Sequence, residues 1–176
     1  MYGTTSAGGD LSACNVGCGT VFKFASGGET VLYRFTGLDG QLPLAGVIRD
    51  SNGSLYGTTA WGGEFGYGVV FKLDMLGNET VLHSFSGGED GEGTSASLAL
   101  DSDGNLYGTT PSGGTNGCGI VFKLDTEGNE SVLYSFSGPD GCGPVGNLIS
   151  DSAGNFYGTT SSGGPGGRGT VFRLTP

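Results

Sequence analysis

The chain has 176 residues, 39 of them Gly, and a formal net charge of −10 with only seven basic residues. That length supports one domain with a substantial core. So few cations exclude a basic surface for nucleic acid or an anionic membrane, and no apolar run approaches the ~18 residues of a membrane-inserting span.

The chain opens on Tyr2-Gly3-Thr4-Thr5, a short β-prone block that returns at Tyr56, Tyr107 and Tyr157. The next apolar block, Val-Phe-(Lys/Arg), places its Phe at Phe22, Phe71, Phe122 and Phe172, at spacings of 49, 51 and 50 residues. A fixed period of this size marks a propeller or a stacked array, in which one unit cannot bury its faces alone. The unit is clearest in its third copy. Ser97–Leu100 is an apolar run, 101–105 a turn, and Leu106–Thr110 a second strand. A Gly-rich loop over 112–119 leads to a third strand at Ile120–Leu124, a turn at 125–129 and a fourth strand at Ser131–Phe136. Turn signals every 8–12 residues between β-prone runs read as all-β, and four antiparallel strands in ~50 residues read as one blade of a β-propeller. We name the strands A to D in that order and place A nearest the axis.

The copies divide a single repeat domain into a partial unit at 1–44, two full units at 45–95 and 96–145, and a partial unit at 146–176. The strand order is BCD, ABCD, ABCD, ABC, which makes fourteen strands and a circularly incomplete ring. The two ends lack parts of one D–A hairpin, so they do not complete each other's blades by strand exchange. Either a four-bladed ring closes with a defective seam, or a homo-oligomer or further repeats supply the missing neighbours.

The repeated residues read as packing. Lys23, Lys72, Lys123 and Arg173 share one repeat position, and Asp50, Asp101 and Asp151 close the A strands. We expect these to form Lys–Asp pairs from blade to blade. Asp101-Ser102-Asp103-Gly104-Asn105 has the composition of a calcium loop but lacks the distant bidentate Glu of an EF-hand. We expect a tight turn there, with no cofactor and calcium as the alternative.

Antiparallel order puts the B–C and D–A loops on one face, and there the units differ. The position after Gly-Thr-Thr-X is Ala7, Trp61, Ser112 and Ser162, and Trp61 is the single Trp. Glu64, Phe65 and Tyr67 share its loop; Arg168 stands in the fourth unit where the others have Cys18, Tyr67 and Cys118. The D–A loops carry Asp39, Asp90 and Asp140, with Glu89 and Glu92 added in one of them. An aromatic flanked by carboxylates suits a sugar, which stacks its apolar face and hydrogen-bonds its hydroxyls. The plain alternative is that Trp61 fills a gap between blades. Candidate ligand residues are Trp61, Tyr67, Glu64, Asp90 and Arg168. Cys14 lies in a five-residue insertion four positions before Cys18, and Cys118 and Cys142 fall in neighbouring loops of the same face. We expect two local disulfides, Cys14–Cys18 and Cys118–Cys142, in an oxidising compartment; zinc is the alternative, but neither Cys-x3-Cys nor a lone His matches a standard ligand set. His83, the single His, replaces Tyr33 and Tyr134 on strand D and reads as a rim residue. No catalytic motif is present, although recurring loop carboxylates leave a glycosidase pair open.

The combined blocks Gly-Thr-Val-Phe-(Lys/Arg)-Leu, Val-Leu-Tyr-Ser-Phe-Ser-Gly and Asp-Ser-x-Gly-Asn-Leu-Tyr-Gly-Thr-Thr-x-x-Gly-Gly resemble the bacterial GloVer (Gloeo–Verruco) tandem repeat over nearly the whole chain. The resemblance implies a secreted, often surface-anchored protein with a propeller-like array, and it brings no active-site motif. No signal peptide is visible, because Met1 leads directly into a repeat block, so the chain reads as a mature segment or a fragment of a longer array. The expectation is a non-catalytic module, extracellular or at the cell surface, that binds a glycan or protein through the B–C/D–A face. The alternatives are a carbohydrate-active hydrolase or lyase using loop carboxylates, and a self-associating surface scaffold.

Overall fold

The structure, a computed structural model, describes residues 1–175. Blade 1 holds β1 (Tyr2–Thr5), β2 (Thr20–Ala25) and β3 (Gly28–Arg34). Blade 2 holds β4 (Ile48–Arg49), β5 (Leu55–Thr58), β6 (Val69–Leu73) and β7 (Glu79–Ser84), and blade 3 holds β8 (Ala99–Leu100), β9 (Leu106–Thr110), β10 (Ile120–Leu124) and β11 (Glu130–Ser135). Blade 4 holds β13 (Ile149–Ser150), β14 (Phe156–Ser162) and β15 (Val171–Leu174). All neighbouring strands are antiparallel and run A-B-C-D, so the all-β, blade-built fold is as the repeats predict.

A fifteenth strand was not expected. β12 (Cys142–Pro144) lies in the D–A passage and pairs with the far end of β14, Cys142 opposite Ser162 and Pro144 opposite Thr160. The same passage makes single bridges in the earlier units, Gln41 with Trp61 and Glu92 with Ser112. Its Gly- and Pro-rich composition reads as a loop, but strand B of the next blade runs long enough to offer it free backbone groups.

The signature residues have a steric cause. Each blade has one face toward the preceding blade and one toward the following blade. A Cβ added at Gly3, Gly57 or Gly108 would sit 2.5–2.7 Å from the Phe22, Phe71 or Phe122 ring of the same blade. The Gly of Tyr-Gly-Thr-Thr is therefore the seat of the neighbouring Phe. That Phe faces backward and meets the Phe that follows strand D in the preceding blade. The edge-on pairs Phe35–Phe71, Phe85–Phe122 and Phe136–Phe172 lie at centroid distances of 5.1, 5.3 and 5.1 Å. Such pairs add about 1 kcal/mol beyond area burial.

Three apolar cores result, one at each junction of consecutive blades. Ser97 Oγ donates to the Gly46 carbonyl at 3.2 Å, and Ser97 N–H donates to Asn147 Oδ1 at 2.8 Å. These are equivalent positions at the start of strand A in three different blades. Three equivalents meet only near the pivot of the arc, which places the A strands there and the D strands at the rim. Among the described residues, no hydrogen bond and no shared apolar core joins blade 4 to blade 1. The four blades form an open arc.

Candidate functional site

The B–C loop of each later blade is stapled to the D–A loop of the blade before it. Gly63, Gly114 and Gly164 N–H groups donate to the carbonyls of Gly37, Gly88 and Gly138 at 3.0, 2.7 and 2.8 Å. Gly62 precedes the first of these staples at φ +80, and a Cβ there would collide with the Gly37 carbonyl. The loop face is therefore a fixed platform rather than a set of free tips.

Trp61 is held on that platform by its backbone alone. Its N–H donates to the Gln41 carbonyl at 3.0 Å, and its carbonyl accepts from Gln41 N–H at 2.7 Å and from Thr59 Oγ1 at 2.9 Å. The indole is left 53% exposed. It lines a cleft of about 310 Å³ between blades 2 and 3, with Leu44, Pro111, Ser95, Ser112 and Glu92 around it. The cleft thus has an aromatic wall, two aliphatic surfaces and a carboxylate.

The other candidate residues do not line this cleft. The Tyr67 ring lies against Gly87 at the entrance to a 3-10 turn, Gly88–Asp90. Glu64 is exposed, and its N–H donates to Ser84 Oγ at 2.9 Å. Asp90 accepts from Ser86 N–H and Oγ at 2.9 and 2.8 Å and faces His83 Nε2 at 3.5 Å. Arg168 is exposed in the B–C loop of blade 4. Leu44, Ser95 and Pro111 escape a sequence reading because they come from different units and meet only across the junction. Glu92 was accessible from the repeat alignment, since it stands opposite Ser112 as Gln41 stands opposite Trp61.

The recurring D–A aspartates have a structural role. Asp39 accepts from Tyr33 Oη at 2.6 Å and from Thr36 and Gly37 N–H. Asp140 takes the same part with Tyr134 and Ser137. His83 replaces the tyrosine of this pair in blade 2; burial pulls its pKa down against the opposing pull of Asp90.

The expected blade-to-blade Lys–Asp pairs do not form. Strand register puts Lys72 and Lys123 directly opposite Tyr56 and Tyr107, and their ammonium groups lie 5.7 and 5.8 Å from the ring centroids. A cation over an aromatic face needs no carboxylate. Asp101 instead accepts from the N–H groups of Asp103 and Asn105, from Asn105 Nδ2 and from Tyr107 Oη. Those donors account for the loop that resembles a calcium ligand set. Among the described residues, no three His, Cys, Asp or Glu side chains are placed to share a metal ion.

Both disulfides are formed as the spacing predicts, Cys14–Cys18 in the insertion and Cys118–Cys142 between a B–C loop and β12. A larger groove, of about 460 Å³, lies on the opposite face between the Asp101 and Asp151 turns. It recurs at the equivalent junctions with about 200 and 390 Å³. Its repetition marks it as the gap left between rows of turns, whereas Trp61 makes its cleft unlike any other junction. No helix among the described residues is long and apolar enough to cross a membrane.

A family model described as the Gloeobacter/Verrucomicrobia repeat matches residues 1–176. No sequence among curated proteins matches the chain. A solved structure described as a putative gluconolactonase is similar at TM-score 0.55 and 19% identity, over 91% of this chain and 54% of that one. A gluconolactonase from Xanthomonas campestris is similar at TM-score 0.43 and 15% identity, over 87% of this chain and 65% of its own. The chain thus spans between half and two thirds of the structures it resembles, and the first likeness establishes the fold alone.

Proposed function

The chain belongs to the Gloeobacter/Verrucomicrobia repeat family, and from that premise we propose that it is a non-catalytic propeller module, secreted or displayed at the cell surface, that binds a glycan through its B–C/D–A face. The carrying observation is the exposed Trp61 indole at the wall of the cleft between blades 2 and 3. A pyranose ring stacks its C–H face on an indole, and Glu92, Ser95 and Ser112 supply hydrogen-bond partners for hydroxyls. A rigid aromatic held by its backbone loses little freedom on binding. Two disulfides support an oxidising destination.

The rival reading is a carbohydrate-active hydrolase or lyase. Its natural carboxylates, Asp39, Asp90 and Asp140, already receive donors from their own loops. Glu92 stands beside Trp61 with no second carboxylate lining the cleft, which favours binding over turnover.

Trp61 is the single Trp, so its fluorescence reports directly on the cleft. In a glycan and polysaccharide screen, with and without calcium, hits should shift its emission to the blue as water leaves the indole. Trp61→Ala should weaken those hits by about tenfold or more. Hits that ignore Trp61→Ala would remove the cleft from the function. Polysaccharide turnover lost in Asp90→Asn or Glu92→Gln would install the enzyme in its place.

A further inference from the structure

Two departures from the repeat coincide at the junction of blades 2 and 3. Trp61 stands where the other units have Ala7, Ser112 and Ser162, and Glu92 stands where they have Gln41 and Cys142. Both line the same cleft. Glu92 is half-buried and fixed at its backbone, where its N–H donates to the Ser112 carbonyl at 3.1 Å. Among the described residues, its carboxylate accepts no hydrogen bond and joins no ion pair. The D–A aspartates differ, since Asp39, Asp90 and Asp140 all accept donors from their own loops. Glu92 therefore has its charge free for whatever enters the cleft.

The charges around the cleft have one sign. Glu64 and Glu89 are exposed and Asp90 is half-buried on the two loops that supply Trp61 and Glu92. No basic residue lines the cleft. Lys72 and Lys123 lie over tyrosine rings, and Arg49 lies over Tyr2 at 5.9 Å. Arg34 and Arg168 belong to blades 1 and 4. A uronic or sulfated sugar would bring its negative charge against a carboxylate with no cation to offset either. Resting on the glycan reading, we propose that Glu92 makes the cleft select sugars that carry a free, protonated amine, such as the glucosamine units of a polysaccharide. The ammonium donates a charge-assisted hydrogen bond to the carboxylate. The adjoining C–H face stacks on the Trp61 indole, whose π face attracts positive charge. Ser95 and Ser112 remain for hydroxyls of the same ring. An N-acetyl group on that nitrogen removes the cation, and the carboxylate then gives up water without gaining a partner.

The test is a titration of Trp61 emission, at slightly acidic pH, with a glucosamine oligosaccharide, its N-acetylated counterpart and a uronic acid oligosaccharide of equal length. The amine form should bind about tenfold more tightly than the acetylated form, and the uronic form should bind least. Glu92→Gln should abolish the preference while binding of the acetylated form stays within about twofold. In the wild type the preference should fade as pH rises and the sugar amine loses its proton. Glu127→Gln makes the same change in net charge at an exposed turn of the opposite face. It should keep the preference, which separates Glu92 from bulk attraction to an acidic protein. An amine form that binds no better than the acetylated form would overturn the proposal and leave the glycan reading standing. So would a preference that survives Glu92→Gln or that is lost equally in Glu127→Gln. Oligolysine that shifts the emission as strongly as the amine sugar would make the cleft a general cation site and also overturns it. Silence toward every sugar in the wider screen would remove the glycan reading itself, and this proposal with it.

Discussion

At the residue scale, the repeated letters of this chain are explained by what each side chain touches. Gly108 has ordinary backbone angles, so its identity is set by space alone: the Phe122 ring occupies the volume a Cβ would need. Gly108→Ala should lower the unfolding free energy by about 1–3 kcal/mol through forced displacement of that ring. Gly27→Ala is the control, since nothing lies within 4 Å of its added Cβ, and it should stay within about 0.5 kcal/mol of wild type in the same urea titration. The turn aspartates follow the same logic. One carboxylate gathers the N–H groups two and four residues on, as Asp74 does with Leu76 and Asn78 and as Asp125 does with Glu127 and Asn129.

At the element scale, the disulfides differ in what they close. Cys118–Cys142 ties β12 to the B–C loop of blade 3 across 24 positions, and Cys14–Cys18 spans four. Loop entropy predicts a loss of about 3 kcal/mol for the double Cys118→Ser, Cys142→Ser variant and about 2 kcal/mol for Cys14→Ser, Cys18→Ser, read from chemical denaturation. The D strands carry a second device at their starts. Burial, with Asp39 and Asp90 as the next cause, holds the Glu79 and Glu130 carboxyls up at about 7, and their Oε1 atoms lie buried without a partner. A carboxyl raised in the fold stabilises it while protonated. That contribution is full below the unfolded value of 4.5 and is lost as pH rises through about 7. Asp140 and Asp151 are held down at about 2 by donors from Tyr134 and Asn155. Their contribution is present above 3.8 and is lost as pH falls through about 2. Thermal melts should therefore peak near pH 4–5, and Glu130→Gln should flatten the decline toward neutrality.

At the scale of the whole molecule, stability rests on three junctions rather than on one central core. In such arrays each unit draws its stability from its neighbours.

The repeat spacing by itself determined the blade, its strand order and the sharing of one face by the B–C and D–A loops, because a period of about 50 residues with four β-prone runs leaves few other ways to bury the faces. It also determined both disulfides, since each pair lies in the same or adjacent loops. Only the tertiary structure decided which residues surround Trp61, because Leu44, Ser95 and Pro111 come from different units and meet by packing of blades. It also replaced the expected Lys–Asp pairs with Lys over Tyr, since strand register sets the Tyr directly opposite the Lys and within reach. Above all it decided that the arc stays open, because closure depends on the rotation between blades. That rotation is set by how Phe packs against Phe across each junction, a sum of small angles that no single repeat spells out.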